Sequence, residues 1–295
     1  MDELRERRQK LTEILSSVGP LMMEGYSTTP GNDPRRAQLL STETKSGPKD
    51  LVTQFDKRVE ESLLAKFAEV FPGEKALGEE SFASQKLNPE AVINDSKKTG
   101  LWIFDPIDGT TNYAKAYPFF CTTAAYVIWN SKQKVFEAQI SATFNPVSGE
   151  MFSAHRGGGA WLGRQRLKIN DEVSDPQKAL FITGFASERS QSGVRSFELF
   201  KKITQLSLGV RRDGSAALDL AYVASGRVEG YWEWGLAPWD IASGALLVEE
   251  AGGVISRLNG DTLQLSQGDI VASTPRLHKW LLSRIEEIVN ESARH

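Results

Sequence analysis

Two aspartates three positions apart, Asp105 and Asp108, stand in the stretch LWIFDPIDGTTNY at residues 101–113. The apolar residues 101–104 predict a short buried strand. Pro106, between the acids, cannot donate to a sheet ladder, so strand pairing is expected to break there. Asp108-Gly109-Thr110-Thr111 carries turn and helix-start chemistry, with backbone N–H groups free near the bend. Two carboxylates converging beside free amides and a hydroxyl suit a hard cation together with an anion. Mg²⁺ takes oxygen ligands and fills its shell from water and phosphate, and helix-start amides hold anions. For either aspartate alone, the competing explanation is a cap on a strand-to-helix turn.

Three further acidic spots could join the pair. Glu79-Glu80 follows Gly78 at the end of a short predicted strand, although a lone Glu-Glu pair is ordinarily a solvated surface. Asp240 follows Trp239 at the start of an apolar helix, where it would serve as a plain N-cap. Asp56 lies near the start of another helix, where it would complement the helix dipole. None of the three decides the matter alone.

The elements that must position these acids read as a mixed α/β chain. Leu4, Leu11, Leu15, Val18 and Met22 mark a helix over about 2–24, and Phe55, Val59, Leu63 and Phe67 mark one over 53–70, ended by Pro72-Gly73. Residues 27–50 and 84–100 are polar and rich in turn formers, hence loops. Glu74 to Ser81 predicts a short strand ending in a turn. Strand-length runs fill 121–154, separated by turn signals at Asn145-Pro146 and Ser148-Gly149. The second half alternates: a strand at 179–185, helices over 196–206 and 215–225, a strand at 228–234, and a helix over 240–251 stopped by Gly252-Gly253. Asn259-Gly260 predicts a hairpin turn, and Thr274-Pro275 caps a last helix. HRGGGAWLG at 155–163 lacks the Gly-Lys-Ser/Thr ending of a phosphate loop and reads as a pair of β-turns. One compact unit is expected, with subregions of about 1–180 and 181–295.

Bulk properties narrow the function. The 295 residues are 40% hydrophobic with a formal net charge of −3, enough for a large core and without the basic excess that nucleic-acid binding favours. A single cysteine, Cys121, allows no intrachain disulfide and fits a reducing cytoplasm. MDELRERRQK is charged from the start, so no signal peptide is expected, and no apolar run is long enough to span a membrane. His155, His278 and His295 are scattered, which points away from a histidine-based site.

In combination the motifs resemble the inositol monophosphatase family of Mg²⁺-dependent, lithium-sensitive phosphatases. WIFDPIDGTTNY is similar to the family's first signature and PWDIASGALLVEEAGG to its second; GEES and DLVTQFD are similar to its other two motifs, in the family's order, over about 45–275. The resemblance implies a layered α-β-α-β-α sandwich of the sugar-phosphatase type, usually a homodimer, holding two or three Mg²⁺ per site. Glu79, Asp105 and the Ile107 carbonyl would hold one Mg²⁺, and Asp105, Asp108 and Asp240 a second. Glu79 would also orient a water that Thr110, bonded toward Asp56, helps deprotonate. Gly109 and Thr110 amides would cradle phosphate.

On the alcohol side, Asp108, Gly214, Ser215, Ala216 and Glu233 would face sugar or inositol hydroxyls, with Glu233 a good acceptor for a diol; Ser187 matches a family contact only loosely. The long 27–44 and 84–100 segments depart from shorter members. The implied activity is hydrolysis of myo-inositol 1-phosphate or a similar polyol phosphate, inhibited by millimolar lithium and by Ca²⁺. The threonine pair in DGTTN favours the inositol branch over nucleotide and histidinol-phosphate phosphatases, while fructose 1,6-bisphosphate and 3′-phosphoadenosine 5′-phosphate, hydrolysed by relatives with the same metal site, are the alternative substrates. The competing class is a non-catalytic regulator or binding protein on the same fold.

Overall fold

The computed structural model describes residues 2–27, 33, 35–44, 51–85, 96–185 and 191–292. Helix α1 (Asp2–Ser27) buries Leu11, Ile14, Leu15, Val18 and Met22 along one stripe. It runs three residues beyond the expected end and through Pro20, which forfeits an amide bond. Packing holds that second half in place. Tyr113 donates its hydroxyl to the Met22 carbonyl (2.9 Å), and a Cβ at Gly25 would stand 2.0 Å from the same hydroxyl.

The 27–50 segment is not loop throughout. It contains the short helix α2 (Arg36–Leu39) and strand β1 (Glu43–Thr44), paired antiparallel with β2 (Leu51–Val52). Arg36 explains why this segment folds back. Its buried guanidinium donates to the carbonyls of Tyr113 and Ala114 (2.9 Å each), tying the segment to the end of the 110–114 helix.

A seven-stranded sheet follows, in the order β3 (Ala76–Gly78), β4 (Leu101–Asp108), β5 (Cys121–Asn130), β6 (Val135–Asn145), β7 (Glu150–His155), β8 (Gly159–Leu162), β9 (Gln165–Arg166). Only β3 and β4 pair in parallel; the rest are antiparallel neighbours. A five-stranded sheet is ordered β11 (Gly209–Arg211), β10 (Leu180–Thr183), β12 (Gly230–Trp234), β14 (Asp269–Ser273), β13 (Val254–Ser256). Helix α3 (Gln54–Val70) joins α1 on one face of the large sheet, while α7 (Ala216–Ala224) and α8 (Pro238–Glu250) lie between the two sheets. Helices α6 (Gln191–Leu206) and α9 (Pro275–Ser292) cover the outer face of the small sheet. Three apolar cores fill the interfaces, so the layers run α-β-α-β-α as expected.

The middle layer explains its own sequence. α7 and α8 are apolar nearly all round because both faces are covered. A Cβ at Gly244 would meet Leu220 at 2.4 Å, so the two helices pack at glycine contact.

Three local expectations need correction. Glu79 begins a helix, α4 (Glu79–Gln85), rather than a turn. Asn259-Gly260 closes a turn in which the Gly260 amide donates to the Arg257 carbonyl (3.0 Å), but β13 and β14 are joined by the longer 257–268 connection and not by a tight hairpin. Thr274 precedes α9, yet its buried hydroxyl makes no capping bond. HRGGGAWLG is the β7–β8 hairpin, a turn as expected. Residues 86–95 of the polar segment and Ser187 lie outside the described residues. Among those described, no helix is long and apolar enough to cross a membrane.

Candidate active site

Strand β4 is buried along its whole length, and it continues past Phe104 to Asp108. Pairing with β5 is interrupted as Pro106 dictates but resumes: Asp105 lies opposite Thr123, the register then shifts, and Asp108 lies opposite Cys121. The irregularity aims both aspartates at one place. The Ile107 amide donates to Asp105 Oδ1 (2.9 Å), closing a tight turn inside the strand. Gly109 then takes the left-handed region (φ 92°), where a Cβ would stand 3.0 Å from the Phe119 carbonyl; glycine alone turns the chain into helix α5 (Thr110–Ala114) there.

The second supplier is α8. Asp240 is its third residue and accepts the Ala237 amide from inside the first turn (2.7 Å), an arrangement other than the simple N-cap weighed from sequence. Asp105, Asp108 and Asp240 each offer an oxygen within 4.8 Å of the others. The third supplier is β3. It pairs Gly78 with Phe104, so Glu79, which follows the strand, comes next to the level of Asp105, although it stands outside the group of three aspartates. Glu79 is half-buried, and its charge pushes up the carboxyls of Asp56, Asp108 and Asp240.

These acids repel one another in a poorly hydrated place. Burial first, then the Glu79 charge, raises Asp108 to about 6, against the lowering effect of the Ser215 hydroxyl and the Ala217 amide, both 2.7 Å from Oδ2. Asp240 is driven well above the carboxylate range by burial, Asp108 and Glu79. Among the described residues no Lys or Arg forms an ion pair with Asp108 or Asp240. An all-oxygen donor set under mutual repulsion is what a hard divalent cation relieves, so the residues present fit Mg²⁺.

Asp56 and Thr110 lie beside the cluster. Asp56 sits in the first turn of α3, where Oδ2 accepts the Thr53 amide (2.8 Å) and hydroxyl (2.6 Å). Its Oδ1 accepts the Thr110 hydroxyl (2.9 Å), which also lies 3.0 Å from the Ile107 carbonyl. Burial chiefly raises Asp56 to about 6, so it is a stronger proton acceptor than an exposed aspartate.

On the far side, Asn112 fastens α5 to the 213–214 turn by donating to the carbonyls of Phe119 (2.7 Å) and Asp213 (2.8 Å). Gly214 has φ 86°, and Ser215 and Ala216 start α7 with Ser215 turned onto Asp108. Glu233, half-buried at the end of β12, accepts the Tyr231 hydroxyl (2.5 Å) and is raised to about 7, mainly by burial. Gly184 lies against it, with no room for a side chain: a Cβ there would stand 2.0 Å from the carboxylate.

Two acids went unnoticed in the sequence. Glu60 is buried and accepts the amides of Glu80 (2.8 Å) and Ser81 (2.5 Å), so it fixes the helix start that carries Glu79. Its spacing of four from Asp56 on one helix face was the available signal. Removing that support should cost about tenfold in Mg²⁺ affinity. Glu60→Ala is therefore expected to raise the Mg²⁺ needed for half-maximal activity by about that factor, in a metal titration where unchanged dependence would show Glu60 to be merely structural. Asp219, in the apolar run AALDLAY, is buried with Oδ1 unpartnered; burial, Glu233, Asp213 and Asp108 all push it well up. An aspartate inside an otherwise apolar helix was its signal.

Comparison with known proteins finds relatives over most of the chain. The family model described as inositol monophosphatase family matches residues 3–290. The chloroplastic phosphatase IMPL1 of Arabidopsis thaliana is 37% identical over 242 residues, 82% of this chain and 62% of the relative, so the chain spans less than two thirds of that protein's length. Nus factor SuhB of Vibrio cholerae is 34% identical, covering 87% of this chain and 90% of the relative. The inositol monophosphatase structure from Anabaena (Nostoc) superimposes with a TM-score of 0.77 at 31% identity, over 97% of each chain.

Proposed function

This chain belongs to the inositol monophosphatase family, and from its site we propose a Mg²⁺-dependent phosphomonoesterase that acts on myo-inositol 1-phosphate or a similar polyol phosphate. The observation that carries the reading is the convergence of Asp105, Asp108 and Asp240 next to a Thr110 hydroxyl tied to Asp56. In this reading Glu79, Asp105 and the Ile107 carbonyl would hold one Mg²⁺, and Asp105, Asp108 and Asp240 another. Bound there, the metal supplies charge neutralisation to the transferring phosphoryl group and acidifies water. Amides of Gly109 and Thr110 receive the phosphate.

Thr110 and Asp56 form the proton path. The hydroxyl hands its proton to Asp56 Oδ1, across the 2.9 Å bond already in place, as it takes one from the attacking water. The alcohol half lies toward Gly214, Ser215, Ala216 and Glu233. Glu233 near neutrality accepts from a diol, and its tie to Tyr231 fixes the carboxylate plane. Lithium sensitivity, a homodimer and a cytoplasmic setting belong to the same proposal.

Phosphate release from a panel of phosphomonoesters, with and without Mg²⁺, tests it. A nucleotide or histidinol phosphate preferred by about tenfold or more in kcat/KM would overturn the polyol assignment. Relatives named Nus factor motivate a second reading, partner binding without turnover; no Mg²⁺-dependent release from any panel member would favour it. Thr110→Val is expected to lower kcat by about 100-fold with KM little changed, and Thr110→Ser to restore most of it. Equal kcat in the valine variant would remove the Thr110–Asp56 path.

A further inference from the structure

Away from the carboxylates, α1 and the β7–β8 hairpin enclose a cavity of about 660 Å³. Its lining is cationic: Arg5, Arg8 and Arg164 face it with His155, against the single carboxylate of Asp2. Trp161 forms an aromatic wall, with the Arg8 and Arg166 guanidinium groups 5.5 and 6.0 Å from its ring centre. None of these four arginines has an ion-pair partner among the described residues. The residue before Arg8 is different, since Arg7 is held by Glu74 in two bonds of 2.7 and 2.6 Å.

Two nitrogens in this cavity are unexplained by the fold. Arg8 donates one bond to Ser153 Oγ (2.7 Å), but its Nε is buried without a partner. His155 is 6% exposed, and its Nδ1 is buried without a partner. Buried donors are rarely left unmade unless a ligand completes them. The hairpin sequence is built around this histidine. Gly157 and Gly159 take positive φ (75° and 86°) to form the turn, whereas Gly158 is needed for space, since a Cβ there would stand 1.8 Å from His155 Nε2. Glu250, beyond the lining, is occupied by the Gly157 and Gly159 amides (2.8 and 2.7 Å). Burial and Arg5 lower Arg8, and burial and Arg8 lower His155 against the opposing effect of Glu250.

We propose that this cavity is a second ligand site, separate from the metal-binding carboxylates, that takes a nucleoside monophosphate, with its phosphate on Arg8, Arg164 and His155 and its base against Trp161. Guanidinium forks match phosphate oxygens, an indole face stacks on a flat base, and the volume suits a ligand of that size.

Isothermal titration of the intact chain in EDTA, which keeps Mg²⁺-supported binding out of the measurement, tests it with AMP, inorganic phosphate and adenosine as probes. One equivalent of AMP is expected to bind with a Kd below about 1 mM. Phosphate alone should bind at least about tenfold more weakly, and adenosine more weakly still. Arg164→Gln, an exposed change that leaves the core intact, and His155→Ala should each weaken AMP about tenfold. Basal phosphate release by Arg164→Gln should be unchanged. No AMP binding by the unmodified chain, an affinity equal in both variants, or phosphate bound as tightly as AMP would each overturn the proposal.

Discussion

Asp108→Asn is expected to lower Mg²⁺-dependent phosphate release by on the order of 1,000-fold, while the metal-free protein melts no lower than the parent. Both halves come from one side chain. Asp108 Oδ2 accepts the Ser215 hydroxyl and the Ala217 amide at the start of α7, so an amide oxygen placed there keeps that helix anchored. What asparagine removes is the charge. In the cluster that charge faces Asp105 and Asp240 within 4.8 Å and is opposed by Glu79 as well. Without metal, losing it relieves repulsion in a buried place; with metal, it deprives the cation of a ligand. Activity assays and melting curves in EDTA separate the two. Retained turnover would sink the metal assignment, and a large drop in melting temperature would show Asp108 to be a structural anchor instead.

Such a two-sided residue shows why some of the site was legible from sequence and some was not. The acids lie in local motifs. Asp105 and Asp108 flank a proline at the end of an apolar run, and Asp240 opens an apolar helix, so their types and neighbours advertised a turn with charge. The convergence of three separate chain segments was not local. It depends on the parallel pairing of β3 with β4, which brings Glu79 next to the level of Asp105, and on α8 lying against β4 and β5 in the middle layer. The family resemblance supplied that step.

Glu60 was missed for a related reason: its work is on the amides of Glu80 and Ser81, twenty residues away, and an α-helical glutamate usually means a solvated face. The Pro106 expectation was half right. Proline does interrupt the ladder, but Cys121 opposite Asp108 lets pairing resume, so the strand runs four residues further than its apolar run.

The interval between melting temperatures in Mg²⁺ and in EDTA should widen as pH rises from about 5 to about 8. Asp56 and Asp108 have folded-state values of about 6 and Glu233 of about 7, all raised chiefly by burial. Unfolded carboxyls titrate near 4. Between those limits the folded, metal-free chain holds more protons than the unfolded one, so the contribution of these groups is most favourable below about pH 4 and is lost as pH rises through 6 to 7. For a buried carboxyl such as Asp56 or Asp108, that loss is on the order of 3 kcal/mol by neutral pH. At Asp108 a divalent cation reverses the preference, because it needs the ionised form of its ligand. At about 100 times its Kd it also adds about 3 kcal/mol to the folded state, enough to move a chain of this size by roughly 5 °C or more. Near pH 5 protons compete with the cation for the Asp108 carboxylate, and the two curves should approach each other. Melting the protein in buffers across that range, with and without Mg²⁺, gives the interval directly. An interval that stayed flat, or widened toward acid, would mean that Asp108 is not among the groups the cation occupies.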